Sequence, residues 1–139
     1  MANPGPATTV SNHPQQLSSN QALRLLASYQ SVNVNAAGDT VLPIVDTGRY
    51  SVSNVVFTNA SISLTTATAG VFTAPSASGA IVADAALSAL TSASVVSQRT
   101  VASTAAQAGQ NLYLNVGTPQ GAAATMDVFV YGYDLTFLP

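Results

Sequence analysis

Cysteine, lysine, glutamate and tryptophan are all absent from this chain of 139 residues. Without cysteine, a disulfide framework, a thiolate metal site and a cysteine nucleophile are excluded. Charged residues make up only 6% of the sequence, whereas about 25% is usual in soluble domains. The three arginines, Arg24, Arg49 and Arg99, are scattered and form no basic patch, so the main electrostatic contribution to nucleic-acid binding is missing. We therefore expect no nucleic-acid partner.

Long apolar runs are missing as well. No stretch of about 18 apolar residues could cross a bilayer as a helix. Residues 1–12 have neither the positive region nor the apolar segment of a secretory signal peptide. We expect a protein that is made in the cytoplasm and has no membrane partner.

Small uncharged residues take the place of the missing charges. The length fits one domain, which buries roughly two-thirds of its unfolded surface. With a formal net charge of −2 and an exterior of Ser, Thr, Asn, Gln and Ala, copies of the chain repel one another little. The composition therefore favours a structural protein that packs closely against other chains.

The first 31 residues differ from the remainder and predict an N-terminal arm. Three prolines at positions 4, 6 and 14 indicate an extended start. Hydroxyl and amide residues then precede the apolar run of residues 22–27, which predicts a short helix. Because so short a helix is marginal alone, it needs a surface to dock on. We expect Leu23, Leu26 and Tyr29 to be the interface residues of this arm, on the chain's own fold or on a neighbour.

Residues 32–139 predict an all-β domain. Short runs of β-branched and aromatic residues alternate with turn residues, which indicates an antiparallel β-sandwich of jelly-roll type. Residues 80–90 combine a strand-like Ile81-Val82 with helix-favouring Ala and Leu, so we expect a strand that passes into a short helix. The other predicted strands cover residues 32–35, 40–45, 50–58, 62–66, 70–74, 94–101, 111–117 and 125–137.

The last predicted strand is apolar on both faces. Met126, Val128 and Val130 alternate with a second row of large side chains. A strand of this kind is either central in a two-layer core or exposed to a partner chain. The second row, which we expect in a core or an interface, comprises Phe129, Tyr131, Tyr133 and Phe137.

One short motif has a catalytic precedent. Asp46-Thr47-Gly48 follows apolar residues, as in retroviral-type aspartic proteases, but Arg49 stands where those enzymes have a small residue. A β-turn with Asp and Gly in favoured positions is the preferred interpretation. His13, the one histidine, lies in the arm, where nothing would hold it against a nucleophile. The five aspartates, at positions 39, 46, 84, 127 and 134, have no metal-loop spacing. We expect no enzyme activity, no metal and no cofactor.

A sugar-binding platform is the other site that the composition permits. Tyr113, Tyr131 and Tyr133 each combine an apolar ring with a polar tip, and such rings can stack on sugars. The chain has no Trp and few carboxylates to bind sugar hydroxyls. Packing in a core or an interface is therefore favoured for these rings.

Two segments resemble small structural proteins of tailed bacteriophages and prophages. The first comprises residues 49–61, RYSVSNVVFTNAS, and residues 65–74, TTATAGVFTA. The second is residues 112–135, LYLNVGTPQGAAATMDVFVYGYDL. The resemblance extends over about two-thirds of the chain and leaves out the arm.

The resemblance implies a component of the virus particle and carries no catalytic residues. We expect a head decoration, or cement, protein on the outer surface of the capsid, which bridges capsid subunits and stabilises the head. Its implied partners are the major capsid protein and its own copies, as a homotrimer. The alternative is a carbohydrate-binding adhesion module on a tail or fibre.

Overall fold

A computed structural model describes residues 23–136 of the chain, and these residues form eight strands and no helix. Residues 1–22 and 137–139 lie outside the described part. The strands are β1 (Leu23–Asn33), β2 (Gly38–Pro43), β3 (Tyr50–Thr58), β4 (Thr68–Ala74), β5 (Ser78–Ala86), β6 (Val96–Thr100), β7 (Asn111–Thr118) and β8 (Thr125–Asp134).

The strands form two antiparallel sheets of four strands each. Sheet A has the order β1-β8-β3-β6, and sheet B has the order β2-β7-β4-β5. The pairs are nested around the tight connection between β4 and β5: β4 pairs with β5, β3 with β6, β2 with β7 and β1 with β8. The chain therefore runs as one long hairpin that is folded over into two sheets. The all-β, antiparallel part of the expected fold is confirmed.

The two sheets share one hydrophobic core. Along β8, Met126, Val128 and Val130 are fully buried, and along β7, Leu112 and Leu114 are fully buried. These side chains belong to a single cluster with residues from both sheets. The alternation of buried and less buried positions in β7 and β8 follows from the two-residue period of a strand, which turns every second side chain inward.

Two arginines connect the edge strands of the sheets. Arg24 on β1 donates a hydrogen bond to the carbonyl of Val45, just after β2. Arg99 on β6 donates to the carbonyls of Ala85 and Ala86 on β5. Since β1 and β6 are the edges of sheet A, and β2 and β5 those of sheet B, one arginine joins the sheets at each open edge.

The short helix expected at the end of the arm is not present from Leu23 onward. Residues 23–33 are β1, which pairs with β8, so the boundary expected at residue 32 falls inside a strand. The register of β1 shifts between Leu25 and Ala27, which puts Leu26 and Ala27 both in the core. This bulge breaks the alternation of a strand, and the apolar positions 23, 26 and 29 then imitate the three-residue spacing of a helix.

Two further expectations about secondary structure are wrong. Residues 62–66 form no strand; they lie in the connection between β3 and β4. Residues 80–90 contain no helix: β5 continues to Ala86, and irregular chain follows. Leu87 and Leu90 in this irregular segment are fully buried, so the leucines that suggested a helix serve to fill the core.

Candidate interaction surfaces

The outer face of sheet A carries a row of large apolar side chains. On β8, Phe129 and Tyr131 are half-buried and Tyr133 is 40% exposed. Cross-strand pairing puts Leu23 opposite Tyr133 and Leu25 opposite Tyr131, and paired residues share a face. We call these five residues the outer patch. It lies on the edge strand β1 and its neighbour β8, and nothing in the described part of the chain covers Leu23, Leu25 or Tyr133.

The outer patch continues onto β3 with uncharged residues. Val56 pairs with Phe129, Asn54 with Tyr131 and Ser51 with Tyr133. The carboxylate on this face is that of Asp127, at the far end of β8 from Tyr133. Its two oxygens accept hydrogen bonds from the Ser31 backbone N–H at 2.8 Å and from the Asn59 side-chain amide at 3.0 Å. At this second end the face also carries Val96 of β6, which pairs with Thr58 and is 58% exposed. The carboxylate therefore lies away from the outer patch, although that end is not wholly polar.

The outer face of sheet B is more polar. Asn115 on β7 donates to Asp39 on β2 at 2.8 Å, and Thr68 on β4 donates to Asp84 on β5 at 3.0 Å. Its large apolar side chains are Val41, which is 45% exposed, the half-buried Tyr113 and the buried Phe72, which pair across β2, β7 and β4. This face thus presents two carboxylates on different strands.

The residues that the sequence predicts to form an interface do not all lie on one surface of the structure. Leu23 and Tyr29 are exposed on β1, whereas Leu26 is fully buried and is a core residue. Of the C-terminal row, Phe129, Tyr131 and Tyr133 lie together on the outer patch, and Phe137 lies outside the described residues. The expectation that these residues face a core or an interface remains a prediction for the outer patch.

The three tyrosines of the suggested sugar platform do not meet. Tyr131 and Tyr133 lie on β8 in sheet A. Tyr113 lies on β7 in sheet B, where it pairs with Val41 and Phe72 and alternates with the buried Leu112 and Leu114. Because the two sheets enclose one core, the outer face of sheet B, with Tyr113, and the outer face of sheet A, with Tyr131 and Tyr133, lie on opposite sides of the molecule. A single platform of three rings is therefore not formed.

The Asp46-Thr47-Gly48 segment connects β2 to β3 and builds a polar cluster around Asp134. Asp46 is exposed and has a φ of 54°, a backbone conformation that Asp adopts in turns. Thr47 is buried, and its hydroxyl donates to Asp134 Oδ1 at 2.6 Å. The Thr136 hydroxyl donates to the same oxygen, also at 2.6 Å. The threonine of the motif thus ties the turn to the end of β8.

Asp134 is held in its charged form. Burial alone would raise the pKa of this carboxyl, but the hydrogen bonds from Thr136 and Thr47, together with the nearby Arg24, lower the pKa below its ordinary value. Arg24 Nη1 lies 3.4 Å from Asp134 Oδ2. The cluster links the start of β1, the turn before β3 and the end of β8. These contacts give it a structural role.

A second polar hub, Gln120, was not found from the sequence. Its side-chain oxygen accepts hydrogen bonds from the backbone N–H groups of Thr66 and Ala67, both at 3.1 Å. Its side-chain nitrogen donates to Ser63 O and Thr65 Oγ1. Gln120 thereby bonds backbone groups of Ser63, Thr66 and Ala67, and the Leu64 N–H donates to Leu90 O, so this segment forms backbone hydrogen bonds without a partner strand. The sequence Pro-Gln-Gly at residues 119–121 predicts a turn, but it does not indicate which groups the Gln120 side chain bonds.

The described residues contain a shallow cleft but no cluster of metal-binding groups. The cleft, of about 200 Å³, lies at β4, β5 and the connection after β6. Its lining residues, none of which is acidic, basic or a thiol, are Thr73, Gly79, Ala80, Ile81, Ser103 and Gln107. Among residues 23–136, no three His, Cys, Asp or Glu side chains could hold a metal ion together, and no helix is long and apolar enough to cross a membrane. His13 lies outside this part.

Comparisons of the chain with protein-family models, with curated proteins and with solved structures gave no match. The surfaces described above are therefore the basis for the functional argument.

Proposed function

We propose that the chain is a jelly-roll protein of a virus particle, a head decoration or cement protein that binds the outer shell and bridges capsid subunits. Its partners are the major capsid protein and other copies of itself, and its place is the outer surface of the capsid. It acts by adhesion and not by catalysis.

The observation that carries this proposal is the order of the strands. A jelly roll is a long antiparallel hairpin rolled into two four-stranded sheets, and the nested pairs around β4 and β5 agree with that description. Jelly rolls are common in viral capsids and in lectins. This support is an analogy at the level of the fold, since a fold can host many functions.

The distribution of charge supports adhesion. A protein with few charged residues and an apolar outer patch gains affinity by burying apolar surface, at about 25 cal/mol per Å². Such a contact depends little on salt. Many weak contacts on one shell add up, because each bound copy that bridges two subunits holds both in place. The resemblance of residues 49–135 to phage structural proteins points to the same role.

The polar clusters support a structural role. The hydroxyl of Thr47 is occupied by Asp134, and no buried side-chain nitrogen or oxygen in residues 23–136 lacks a hydrogen-bond partner. The Asp46 carboxylate, the remaining candidate for an aspartic-protease dimer, is exposed on a turn. We expect the variant Asp46→Asn to assemble normally and the wild type to show no proteolysis.

The test is to count and locate the protein on purified particles. Quantitative mass spectrometry should find hundreds of copies per particle, in a fixed ratio to the major capsid protein. A cryo-electron microscopy map should show the two-sheet domain outside the shell, and heating should release DNA earlier from particles that lack the protein. Absence from the particle, or a position inside the shell, would refute the proposal.

A carbohydrate-binding module on a tail or fibre is the second candidate. Tyr131 and Tyr133 are neighbours on one face of β8, which favours stacking on a sugar, although Tyr113 is on the other sheet. A few copies per particle, together with glycan binding that Tyr133→Ala abolishes, would favour this role over decoration.

A further inference from the structure

We propose that the outer patch is an oligomer interface, covered by a second copy of this chain. The inference deepens the proposed function, on which its biological role rests, by naming the surface through which copies join. The patch consists of Leu23 and Leu25 on β1 and Phe129, Tyr131 and Tyr133 on β8.

The register of β1 against β8 makes the patch one continuous surface. Leu23 and Tyr133 form one cross-strand pair, and Leu25 and Tyr131 form the next on the same face. Leu23, Leu25 and Tyr133 are 54%, 41% and 40% exposed. Exposed aromatic and aliphatic side chains in one block are typical of the centre of a protein interface. Tyr is also among the residues that contribute most to binding.

The absence of charge favours a copy of the same chain as the occupant. When identical chains associate, a charged patch can bring like charges together, and like charges repel. The patch has no ionisable group with a charge at neutral pH, and Asp127 lies at the opposite end of the face with both oxygens bonded. On sheet B, by contrast, Asp39 and Asp84 would approach their counterparts or each other. A contact centred on the outer patch therefore brings no like charges together at its centre.

The face is large enough for a stable contact. Its four strands have 11, 10, 9 and 5 residues, which at about 3.3 Å per residue and about 4.8 Å between strands give a face of up to about 550 Å² per copy. Two copies would bury up to about 1,100 Å², just above the roughly 1,000 Å² that a biological interface needs. An aligned packing of sheet faces, as between the sheets of a sandwich, would satisfy this area.

The experiment compares two matched variants of the full chain by sedimentation and light scattering. Leu25→Asp changes an edge-strand residue of sheet A, and Val41→Asp changes an edge-strand residue of sheet B with nearly the same exposure. We expect the wild type and Val41→Asp to be dimers at least, because the same face of two copies packs together. Leu25→Asp should weaken association by at least about tenfold, because it buries an unpaired carboxylate at the contact.

Two single-cysteine variants provide the test if Leu25→Asp does not fold. Because the chain has no cysteine, Leu25→Cys and Val41→Cys each introduce a single thiol for a short bifunctional crosslinker. The proposal requires interchain crosslinking from Leu25→Cys and much less from Val41→Cys. A wild type that is monomeric at every concentration, or equal crosslinking of both variants, would overturn it.

The outcome is separable from that of the proposed function. A monomer that decorates particles refutes the interface and leaves the decoration role intact, with the shell protein as the occupant of the patch. An oligomer that is absent from particles supports the interface and refutes the decoration role. Loss of glycan binding in Leu25→Asp, with the wild type monomeric, would identify a sugar as the occupant and refute self-association.

Discussion

The two sheets contribute to the same core but have different outer faces. Sheet A presents the outer patch, with its aromatic and leucine side chains and no charge, whereas sheet B presents Asp39 and Asp84 in hydrogen bonds to Asn115 and Thr68. In a symmetric two-layer fold, packing of the core does not require this difference. Sheet A also carries one carboxylate, Asp127, on its outer face, so the difference lies in the outer patch. The proposal that sheet A contacts another copy of the chain rests on this difference, and the following predictions test how far it extends.

The largest effect is expected where the strands of sheet A approach most closely. A methyl group on Gly132 in β8 would lie 2.1 Å from the Ser51 backbone oxygen of β3 and 2.7 Å from Leu26 Cδ1 in the core. Gly132→Ala should therefore destabilise the protein by about 3 kcal/mol, since overpacking forces the backbone to move. Chemical denaturation measures the change.

Gly117 in β7 is the matched glycine of sheet B. A methyl group there would lie 2.5 Å from Asp84 Oδ2, which is the end of an exposed side chain that can rotate away. Gly117→Ala should cost less than about 1 kcal/mol. Equal losses for the two variants would show that a clash with backbone at Gly132 costs no more than a clash with a side chain at Gly117.

These constraints also show how much of the fold the sequence could predict. The strands β7 and β8 were predicted nearly to their ends, because their alternation is unbroken. The strand β3 was predicted as well, because its β-branched and aromatic residues indicate a strand in spite of the register shift after Val52. The strand β1 was mistaken for a helix because its bulge at Leu26 interrupts the two-residue period. The segment at residues 62–66 was mistaken for a strand because Gln120, which is distant in sequence, supplies its backbone hydrogen bonds.

For the candidate surface, the sequence pointed to four of the five residues of the outer patch, missed Leu25 and named the buried Leu26 instead. Alternation along residues 125–137 put Phe129, Tyr131 and Tyr133 on the face opposite Met126, Val128 and Val130, but it did not show which of the two faces is the core. It could not show that Leu23 and Leu25 lie beside them, because that depends on pairing between strands about 110 residues apart. It also could not place Tyr113 on the other sheet, since alternation gives the face of a strand and not the sheet to which the strand belongs.

The second prediction concerns Asp134, which anchors the end of sheet A. Its folded pKa is lowered, so its contribution to stability is present above the unfolded pKa and is lost as the pH falls through the folded value. Asp134→Asn should remove about 2 kcal/mol at neutral pH, because hydrogen bonds to a charged group are lost. The difference from the wild type should shrink in acid, below about pH 4.

Thermal unfolding between neutral and acidic pH measures this difference, and Asp46→Asn is the control. Asp46 lies on the same connection but is exposed, so its replacement should leave the melting temperature near that of the wild type. A constant gap between Asp134→Asn and the wild type at all pH values would contradict the assigned role of the carboxylate.

The third prediction tests the two arginines that join the sheets at their open edges. Arg24→Lys and Arg99→Lys should each cost about 1 kcal/mol, because a lysine cannot reproduce the planar, multiple hydrogen bonding of a guanidinium. Arg99 also lies over the Phe57 ring, 5.6 Å from its centroid, which adds a contact that lysine makes less well. Arg49→Lys, an exposed position on the connection between β2 and β3, should have no measurable effect on unfolding. Similar values for all three variants would show that the edges need no such bridges.

The smallest effect is expected from Tyr50, which lies on the inner face of sheet A and so contrasts with Tyr131 on the outer face. Tyr50 is fully buried, and its hydroxyl donates to Gly109 O at 2.7 Å. Burial raises the pKa of Tyr50 to about 12. Because the folded pKa lies above the unfolded value, the stabilising effect is fully present below about pH 10 and is lost as the pH rises toward 12.

Tyr50→Phe should cost only about 1 kcal/mol at neutral pH, the value of one hydrogen bond. In an alkaline titration followed by tyrosinate absorbance, this variant should lack the last ionisation step of the wild type, whereas Tyr131→Phe should retain it. Retention of that step in Tyr50→Phe would show that another tyrosine is the shielded one.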